Sequence, residues 1–243
     1  MDKKIKVSLV SYTNSLPFLY GIENTDILNH IELMKDVPSE CARKLKSKKA
    51  DVGIVPVGSL LDYAQYYIVS DYCIGAQDAV DSVFIFSNKP IEEVKTIRLD
   101  AQSRTSNGLA RILVQKFWKK EVIWITEGEA DAFVEIGDRT FGKKKIFPYH
   151  YDLSTYWNKL TGLPFVFAVW ASTEKLSDQF VEKFNSAIEF GVKNIDKVLP
   201  SIPKFEGFDV AYYLNNSLDY TLDEPKKVAM QLYLKWLQEL EAL

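Results

Sequence analysis

The chain has 243 residues, of which 47% are hydrophobic and 13% aromatic, so it can form one large domain or two lobes of about 100 residues each. Its net charge of −3 leaves no global basic field that would hold nucleic acid. The first residues carry no apolar leader, and no apolar run approaches the length of about 18 residues that a membrane span needs. We therefore expect a cytoplasmic protein that binds neither nucleic acid nor membranes, with Cys41 and Cys73 reduced.

An apolar run at residues 5–10 predicts the first strand, and the segment that follows it is polar. Residues 11–15 all carry hydroxyl or amide groups, and Pro17 suits the first turn of a helix. A polar mouth at the carboxyl end of a buried strand is where open α/β sheets bind ligands. Plain turn chemistry is the alternative interpretation of this segment.

The same arrangement recurs twice further along the chain. Residues 51–58 predict a second short strand that runs into a Pro/Gly turn and an apolar helix around Leu60 and Leu61. Residues 96–100 predict a third strand, followed by the polar turn 102–106 and a helix from about 106 to 118. Three such strand ends predict one cleft lined by loops and helix N-termini, which favour an anion.

The order of the remaining elements predicts two lobes. Further strands are expected at residues 66–69, 72–74, 82–87, 122–124, 132–136 and 164–170, and further helices near 153–160, over 180–195 and from Pro225. The buried strands 82–87 and 164–170 bracket a complete small α/β unit, so we interpret them as strands that cross between two hinged lobes. Lobe I is predicted to comprise residues 1–84 and 168–243, and lobe II the inserted residues 85–167.

The sequence lacks the motifs of metal, nucleotide and serine-hydrolase sites. His30 and His150 lie outside metal-binding spacings, and neither a phosphate-binding glycine motif nor a GxSxG elbow occurs. We therefore predict neither a dedicated zinc or iron site nor a nucleotide-phosphate site. The basic runs 43–49 and 143–145 are interpreted as a solvated helix end and an exposed loop.

Neutral hydrogen-bonding groups are what remains for the predicted cleft. Such donors suit a small carboxylate ligand, and Arg104 is expected to add a charge-assisted contact. The candidate groups are Ser11, Asn14, Ser82, Ser103, Thr105 and Ser106. The alternative is that Ser103, Thr105 or Ser106 simply caps the helix that follows.

Four motifs, taken in order, resemble the chorismate dehydratase family of the futalosine route to menaquinone. They occupy residues 11–18, 51–57, 102–106 and 151–165, and the resemblance runs from about Val7 to Trp170. It implies an α/β, two-lobed fold of the type 2 periplasmic-binding-protein kind, with a ligand cleft between the lobes. It also implies removal of water from chorismate to give 3-[(1-carboxyvinyl)oxy]benzoate, without a cofactor.

The resemblance assigns roles to particular residues. The family's catalytic asparagine and serine fall on Asn14 and Ser82, and its hydroxyl-rich binding turn falls on residues 103–106. With Ser11, this turn is expected to bind the substrate, and the substrate's own side-chain carboxylate is expected to act as the base.

Three alternatives to this enzyme stay open. The sister lyase of the same route carries a catalytic histidine where this chain has Gly137, and it resembles the chain less well. A cytoplasmic protein that binds or senses a small carboxylate would use the same cleft without turnover, and an interaction protein would not use it at all.

Overall fold

The computed structural model describes residues 4–242, and within them eleven strands form two mixed sheets. The strands are β1 (Ile5–Val10), β2 (Ile31–Asp36), β3 (Val52–Pro56), β4 (Tyr67–Ala76), β5 (Val83–Ser87), β6 (Thr96–Arg98), β7 (Ile123–Ile125), β8 (Ala132–Ile136), β9 (Tyr149–Asp152), β10 (Phe165–Ser172) and β11 (Asp219–Thr221). The helices are α1 (Leu16–Glu23), α2 (Pro38–Lys46), α3 (Arg104–Lys116), α4 (Leu153–Thr161), α5 (Asp178–Val192), α6 (Ile195–Val198), α7 (Val210–Tyr212) and α8 (Glu224–Glu241).

The large lobe is built on the sheet ordered β11-β4-β10-β3-β1-β2. β1 runs parallel to both β2 and β3, as expected for strands joined through helices α1 and α2. All five residues of β3 are buried, because helices cover the faces of this sheet. Helix α1 packs closely on α5, since a Cβ added at Gly21 would lie only 2.0 Å from the Ala187 carbonyl oxygen.

The small lobe is built on the sheet ordered β7-β6-β8-β5-β9, against which α3 and α4 pack. β6 is parallel to its neighbours β7 and β8, whereas β5 is antiparallel to β8 and β9. Helix α8 spans both lobes, because it packs on β10 of the large lobe and also on α3 of the small lobe. Its Tyr233 hydroxyl donates to the Thr105 carbonyl at 2.9 Å.

The structure corrects the predicted crossing points. β5 pairs only with strands of the small sheet, and β10 pairs only with β3 and β4 of the large sheet, within the described residues. The predicted boundaries after 84 and after 167 therefore fall inside strands, and the chain crosses instead through residues 77–82 and through α4 with its following turn. A fully buried apolar strand does not reveal its partners in its sequence, which is why both strands were interpreted as crossing elements.

Other local predictions are partly confirmed. The strands predicted at 66–69 and 72–74 form one ten-residue strand, β4, whose pairing with β10 is interrupted by register shifts that disturb the alternating pattern. The predicted helix around Leu60 is a short 3-10 helix, Val57–Asp62. The helices predicted near 153–160, over 180–195 and from Pro225 correspond to α4, α5 and α8.

The cysteines and the basic runs also have clear positions. Cys41 in α2 and Cys73 in β4 are buried free thiols, and burial raises the pKa of Cys41 to about 12. Residues 43–46 form the end of α2, as predicted. The predicted exposed loop at 143–145 is a 3-10 turn, in which Lys143 pairs with Glu135 at 2.7 Å.

Candidate active site

A small cavity of about 50 Å³ lies between the two lobes, beyond the carboxyl ends of β1 and β3. Its polar lining comes from both sides: Asn14 and Ser15 from the large lobe, Ser82 from the crossing segment, and Ser103 and Ser106 from the small lobe. A buried water needs about 10–15 Å³ of such space, so the cavity holds roughly three or four waters. The lobes contact each other beside this cavity, as the hydrogen bond from the Thr13 N–H to the Asp138 carboxylate at 3.0 Å shows.

Asn14 lies on a 3-10 turn, Thr13–Ser15, that directly follows the first strand. Its side-chain oxygen accepts a hydrogen bond from the Ser15 hydroxyl at 3.1 Å, and its backbone carbonyl accepts one from the buried Tyr220 hydroxyl at 3.0 Å. Asn14 is thus held through its side-chain oxygen and its backbone carbonyl, and it lines the cavity.

Ser82 is buried at the last position before β5. The Tyr213 hydroxyl donates to the Ser82 side-chain oxygen at 2.8 Å, and the Gly137 N–H donates to the Ser82 carbonyl at 2.8 Å. Two elements distant in sequence therefore fix this serine at the edge of the cavity.

The turn before α3 contributes Ser103 and Ser106 to the cavity. The Ser103 side-chain oxygen caps the helix by accepting from the Ser106 N–H at 3.1 Å, and the two hydroxyls lie 2.9 Å apart. Ser103 therefore both caps α3 and faces the cavity. The start of a 13-residue helix also directs its partial positive charge toward this end of the cavity.

Three of the predicted binding residues lie elsewhere. The Thr105 hydroxyl donates to the Phe167 carbonyl at 3.2 Å and accepts from the Gly58 N–H at 3.0 Å, so it joins the lobes behind the cavity. The Ser11 hydroxyl is exposed and donates to the Asp36 carbonyl at 3.1 Å.

Arg104 is the third of these residues, and its guanidinium is already paired. It contacts the carboxylates of Asp62 and Glu241, the latter at 3.0 Å. It lies in an adjoining open groove of about 460 Å³ between α2 and α3, which shares Pro56 and Ser103 with the cavity.

Direct contacts between the lobes surround the cavity, and the sequence interpretation did not find them. The Thr13 N–H and hydroxyl bond to the Asp138 carboxylate at 3.0 and 2.8 Å, and the Tyr12 hydroxyl donates to Gln102. Burial raises the pKa of both Tyr12 and Asp138. Thr13 and Tyr12 belong to the polar segment 11–15 that follows β1. The sequence predicts the position of this segment, but it does not reveal that Asp138 and Gln102 are its partners.

Gly137 explains how Tyr12 fits against the small lobe. It has a left-handed φ of +64°, and a Cβ added there would lie 2.7 Å from the Tyr12 ring. Both residues line the cavity. A larger residue at 137 would displace Tyr12 in this arrangement.

The described side chains that line the cavity carry no charge at ordinary pH. Tyr12 is the one titratable side chain among the described residues that line it, and burial raises its pKa, so the phenol stays protonated. Within residues 4–242, no three His, Cys, Asp or Glu side chains are grouped closely enough to hold a metal ion. The cavity offers hydrogen-bond donors and a helix N-terminus. Its described lining contains no carboxylate or imidazole that could act as a general base.

Asp152 connects the two crossing segments at the back of the cavity. One carboxylate oxygen caps α4 by accepting from the Ser154 and Thr155 N–H groups at 3.0 and 3.2 Å. The other accepts from the Val80 and Asp81 N–H groups at 3.1 and 2.8 Å. Burial raises the pKa of this carboxyl to about 7. A single side chain thus ties the outgoing crossing segment to the returning one.

Comparison with known proteins shows which family the chain belongs to. The sequence profile of a menaquinone biosynthesis family matches residues 5–239, nearly the whole chain. The chain belongs to the menaquinone biosynthesis family. Chorismate dehydratase of Campylobacter jejuni is 28% identical over 236 residues, covering 93% of this chain and 94% of that protein. Chorismate dehydratase of Thermus thermophilus is 23% identical over 264 residues, covering 95% and 94%.

A solved structure confirms the fold of this family member. A conserved Candida albicans protein, described as exhibiting the generic periplasmic binding protein fold, superimposes with a TM-score of 0.70. It is 13% identical, and the match covers 99% of this chain and 91% of that one. The chain is an α/β protein with two mixed sheets in two lobes, as type 2 periplasmic binding proteins are. Among residues 4–242, no helix has the length and apolarity required to cross a bilayer.

Proposed function

We propose that this protein is a chorismate dehydratase, a hydro-lyase that removes water from chorismate to give 3-[(1-carboxyvinyl)oxy]benzoate. Membership of the menaquinone biosynthesis family and the two relatives named chorismate dehydratase support this proposal. The observation that carries it is the meeting of Asn14 and Ser82 at one cavity, where the buried Tyr213 hydroxyl donates to Ser82.

The neutral cavity suits a substrate that brings its own charges. Chorismate has two carboxylates, and its dehydration forms an aromatic ring, so positioning and charge stabilisation matter more than a strong protein nucleophile. Because the described cavity side chains offer no base of ordinary strength, the substrate's side-chain carboxylate takes the ring proton. The ring hydroxyl then leaves as the ring becomes aromatic, and the proton and hydroxyl together account for the water lost.

Each polar group of the cavity has a role in this proposal. The Asn14 amide holds the side-chain carboxylate and the leaving hydroxyl in register, and Ser82 donates a hydrogen bond to the ligand. Ser103 and Ser106, at the N-terminus of α3, bind the ring carboxylate, since helix N-termini stabilise anions. Arg104 is not needed for this contact, because Asp62 and Glu241 already neutralise it.

The closed cavity also requires the lobes to separate for binding. Its volume of about 50 Å³ is far below the roughly 300 Å³ at which pockets for drug-sized ligands begin. Chorismate therefore binds to an open arrangement, and closure excludes water around the reacting groups.

The proposal is tested by incubating the purified protein with chorismate in buffer without added metal or nucleotide. Mass spectrometry should detect an aromatic product lighter than chorismate by one water. Unchanged chorismate in the presence of folded protein would refute the activity, and loss of turnover on adding a chelator would refute the cofactor-free mechanism.

A second candidate function is binding without turnover, and the fold favours it, since a protein of the generic periplasmic binding protein fold superimposes over the whole chain. Calorimetric titration with chorismate distinguishes the two functions. Tight binding with no product would favour a carboxylate-binding or sensing protein.

A further inference from the structure

Tyr213 lies behind the two candidate catalytic residues and is only 1% exposed. It begins a π-helical turn, Tyr213–Ser217, a rare geometry that is frequent at functional sites. The rings of Phe141 and Phe208 pack on it with centroids 5.4 and 5.3 Å away. These ring contacts hold the side chain of Tyr213 in place.

The Tyr213 hydroxyl contacts Ser82. It donates to the Ser82 side-chain oxygen at 2.8 Å. A phenol is a stronger acid than an aliphatic hydroxyl, so the tyrosine donates and the serine accepts. Burial raises the pKa of Tyr213, which keeps this donor protonated at neutral pH.

This direction of donation determines where the Ser82 hydrogen points. Once the Ser82 oxygen accepts from Tyr213, its own hydrogen is free for another acceptor, and within residues 4–242 no protein group is seen to accept it. Ser82 lines the cavity, so a bound ligand is the acceptor within reach. Hydrogen bonds in such a chain polarise one another, which strengthens the last donor.

The same π-helical turn also holds the residue before Ser82. The Ser217 hydroxyl donates to the Asp81 carboxylate at 2.8 Å, and Asp81 has a left-handed φ of 58°. The turn therefore fixes the crossing segment at two successive residues, Asp81 and Ser82. Tyr213 is well placed to define the position of Ser82 as well as the direction of its hydrogen.

We propose that Tyr213 is a positioning residue, whose hydroxyl directs the Ser82 hydrogen toward the ligand. The proposal rests on the proposed dehydratase function, and it adds to that function a residue that never touches the substrate.

The test compares Tyr213→Phe with Tyr233→Phe in steady-state turnover of chorismate. Tyr233 is a matched control, because it is also fully buried and its hydroxyl makes one hydrogen bond, to a backbone carbonyl. Tyr213→Phe should lower kcat about tenfold, the effect of one lost hydrogen bond in the transition state, with KM changed less than about twofold. Tyr233→Phe should leave kcat near the wild-type value.

A double variant tests whether Tyr213 acts through Ser82. Ser82→Ala should lower kcat, and adding Tyr213→Phe to it should cause little further loss, because the group that the tyrosine orients is already gone. Full multiplication of the two losses, an equal loss in Tyr233→Phe, or an unchanged kcat in Tyr213→Phe would each overturn the positioning role.

The outcomes also separate this inference from the proposed function. Wild-type protein without turnover would refute the dehydratase and this inference with it, whereas an active wild type beside an equally active Tyr213→Phe refutes only the inference. If Tyr213→Phe does not fold, Ser217→Ala serves instead, since it releases Asp81 and retains the phenol. It should lower kcat at unchanged KM, and an unchanged kcat would contradict the role of the π-helical turn.

Discussion

Replacing Asp152 by alanine is expected to destabilise the protein far more than the loss of an ordinary helix cap. Its two oxygens accept four backbone N–H groups, of which Ser154 and Thr155 begin α4 and Val80 and Asp81 lie in the crossing segment. Loss of the cap costs about 1 kcal/mol. The Val80 N–H is left unsatisfied in a residue that is 1% exposed, which costs about 1–3 kcal/mol, and the more accessible Asp81 N–H adds about 1 kcal/mol.

These contributions give a loss of about 3–5 kcal/mol in the free energy of unfolding for Asp152→Ala. Asp152→Asn retains one oxygen and should lose roughly half as much, because its NH₂ group cannot accept from either remaining N–H. Asp223→Ala is the matched control. Asp223 caps α8 through the Lys226 N–H and lies 3.7 Å from the buried Lys226 ammonium, which keeps its closer partner Asp219 at 2.7 Å, so the loss of Asp223 should cost mainly the cap, about 1 kcal/mol.

The measurement is urea unfolding followed by circular dichroism and tryptophan fluorescence. The pKa of Asp152 is raised to about 7 in the folded protein, whereas an unfolded aspartate titrates near about 3.9. The pH-dependent part of the stability that Asp152 contributes is therefore complete below about pH 4 and is lost as the pH rises through 7. The difference in the free energy of unfolding between wild type and Asp152→Ala should accordingly be smaller at pH 8 than at pH 5.5. An Asp152→Ala loss no larger than that of Asp223→Ala would refute the connection between crossing segments.

Three further predictions concern the cavity. Asn14→Leu should fold normally by circular dichroism and lower kcat by roughly 10²-fold or more with a smaller effect on KM; near-normal kcat would reduce Asn14 to a turn residue. Gly137→Ala places a Cβ 2.7 Å from the Tyr12 ring at a φ of +64°, so it should lower stability in urea by at least about 1 kcal/mol, and wild-type stability would contradict this contact. Asp138→Ala removes the acceptor of both Thr13 hydrogen bonds, so solution scattering should give a larger radius of gyration, and an unchanged radius would argue against a closing role.

The sequence was informative where function follows from local chain geometry. Asn14 and the turn before α3 were predicted because each directly follows a strand, and both line the cavity. Helical spacing also distinguishes the two serines of that turn from Arg104. Ser103 and Ser106 are three residues apart and share a face, whereas Arg104 points to another face, where Asn107 and Arg111 line the outer groove with it.

The rest of the site depends on contacts that no local pattern encodes. Tyr213 meets Ser82 across 131 residues of sequence, and it does so from a π-helical turn, for which no residue signature exists in the segment. The partners of β5 and β10 were equally hidden, because an apolar run specifies burial and leaves the neighbouring strand undefined. Long-range pairing therefore decides which buried tyrosine reaches the cavity and where the chain crosses between lobes.

The neutrality of the cavity gives lobe closure a role in selecting the ligand. With a net charge of −3, the protein offers a dianion no general attraction, so recognition depends on donors placed at short range. Those donors belong to different lobes, with Asn14 and Ser15 on the large lobe and Ser103 and Ser106 on the small one. A ligand with one carboxylate engages one set of donors only, so it gains fewer hydrogen bonds when the lobes close. A dicarboxylate of the right length satisfies both sets at once, so closure itself is expected to favour substrates such as chorismate over monocarboxylates.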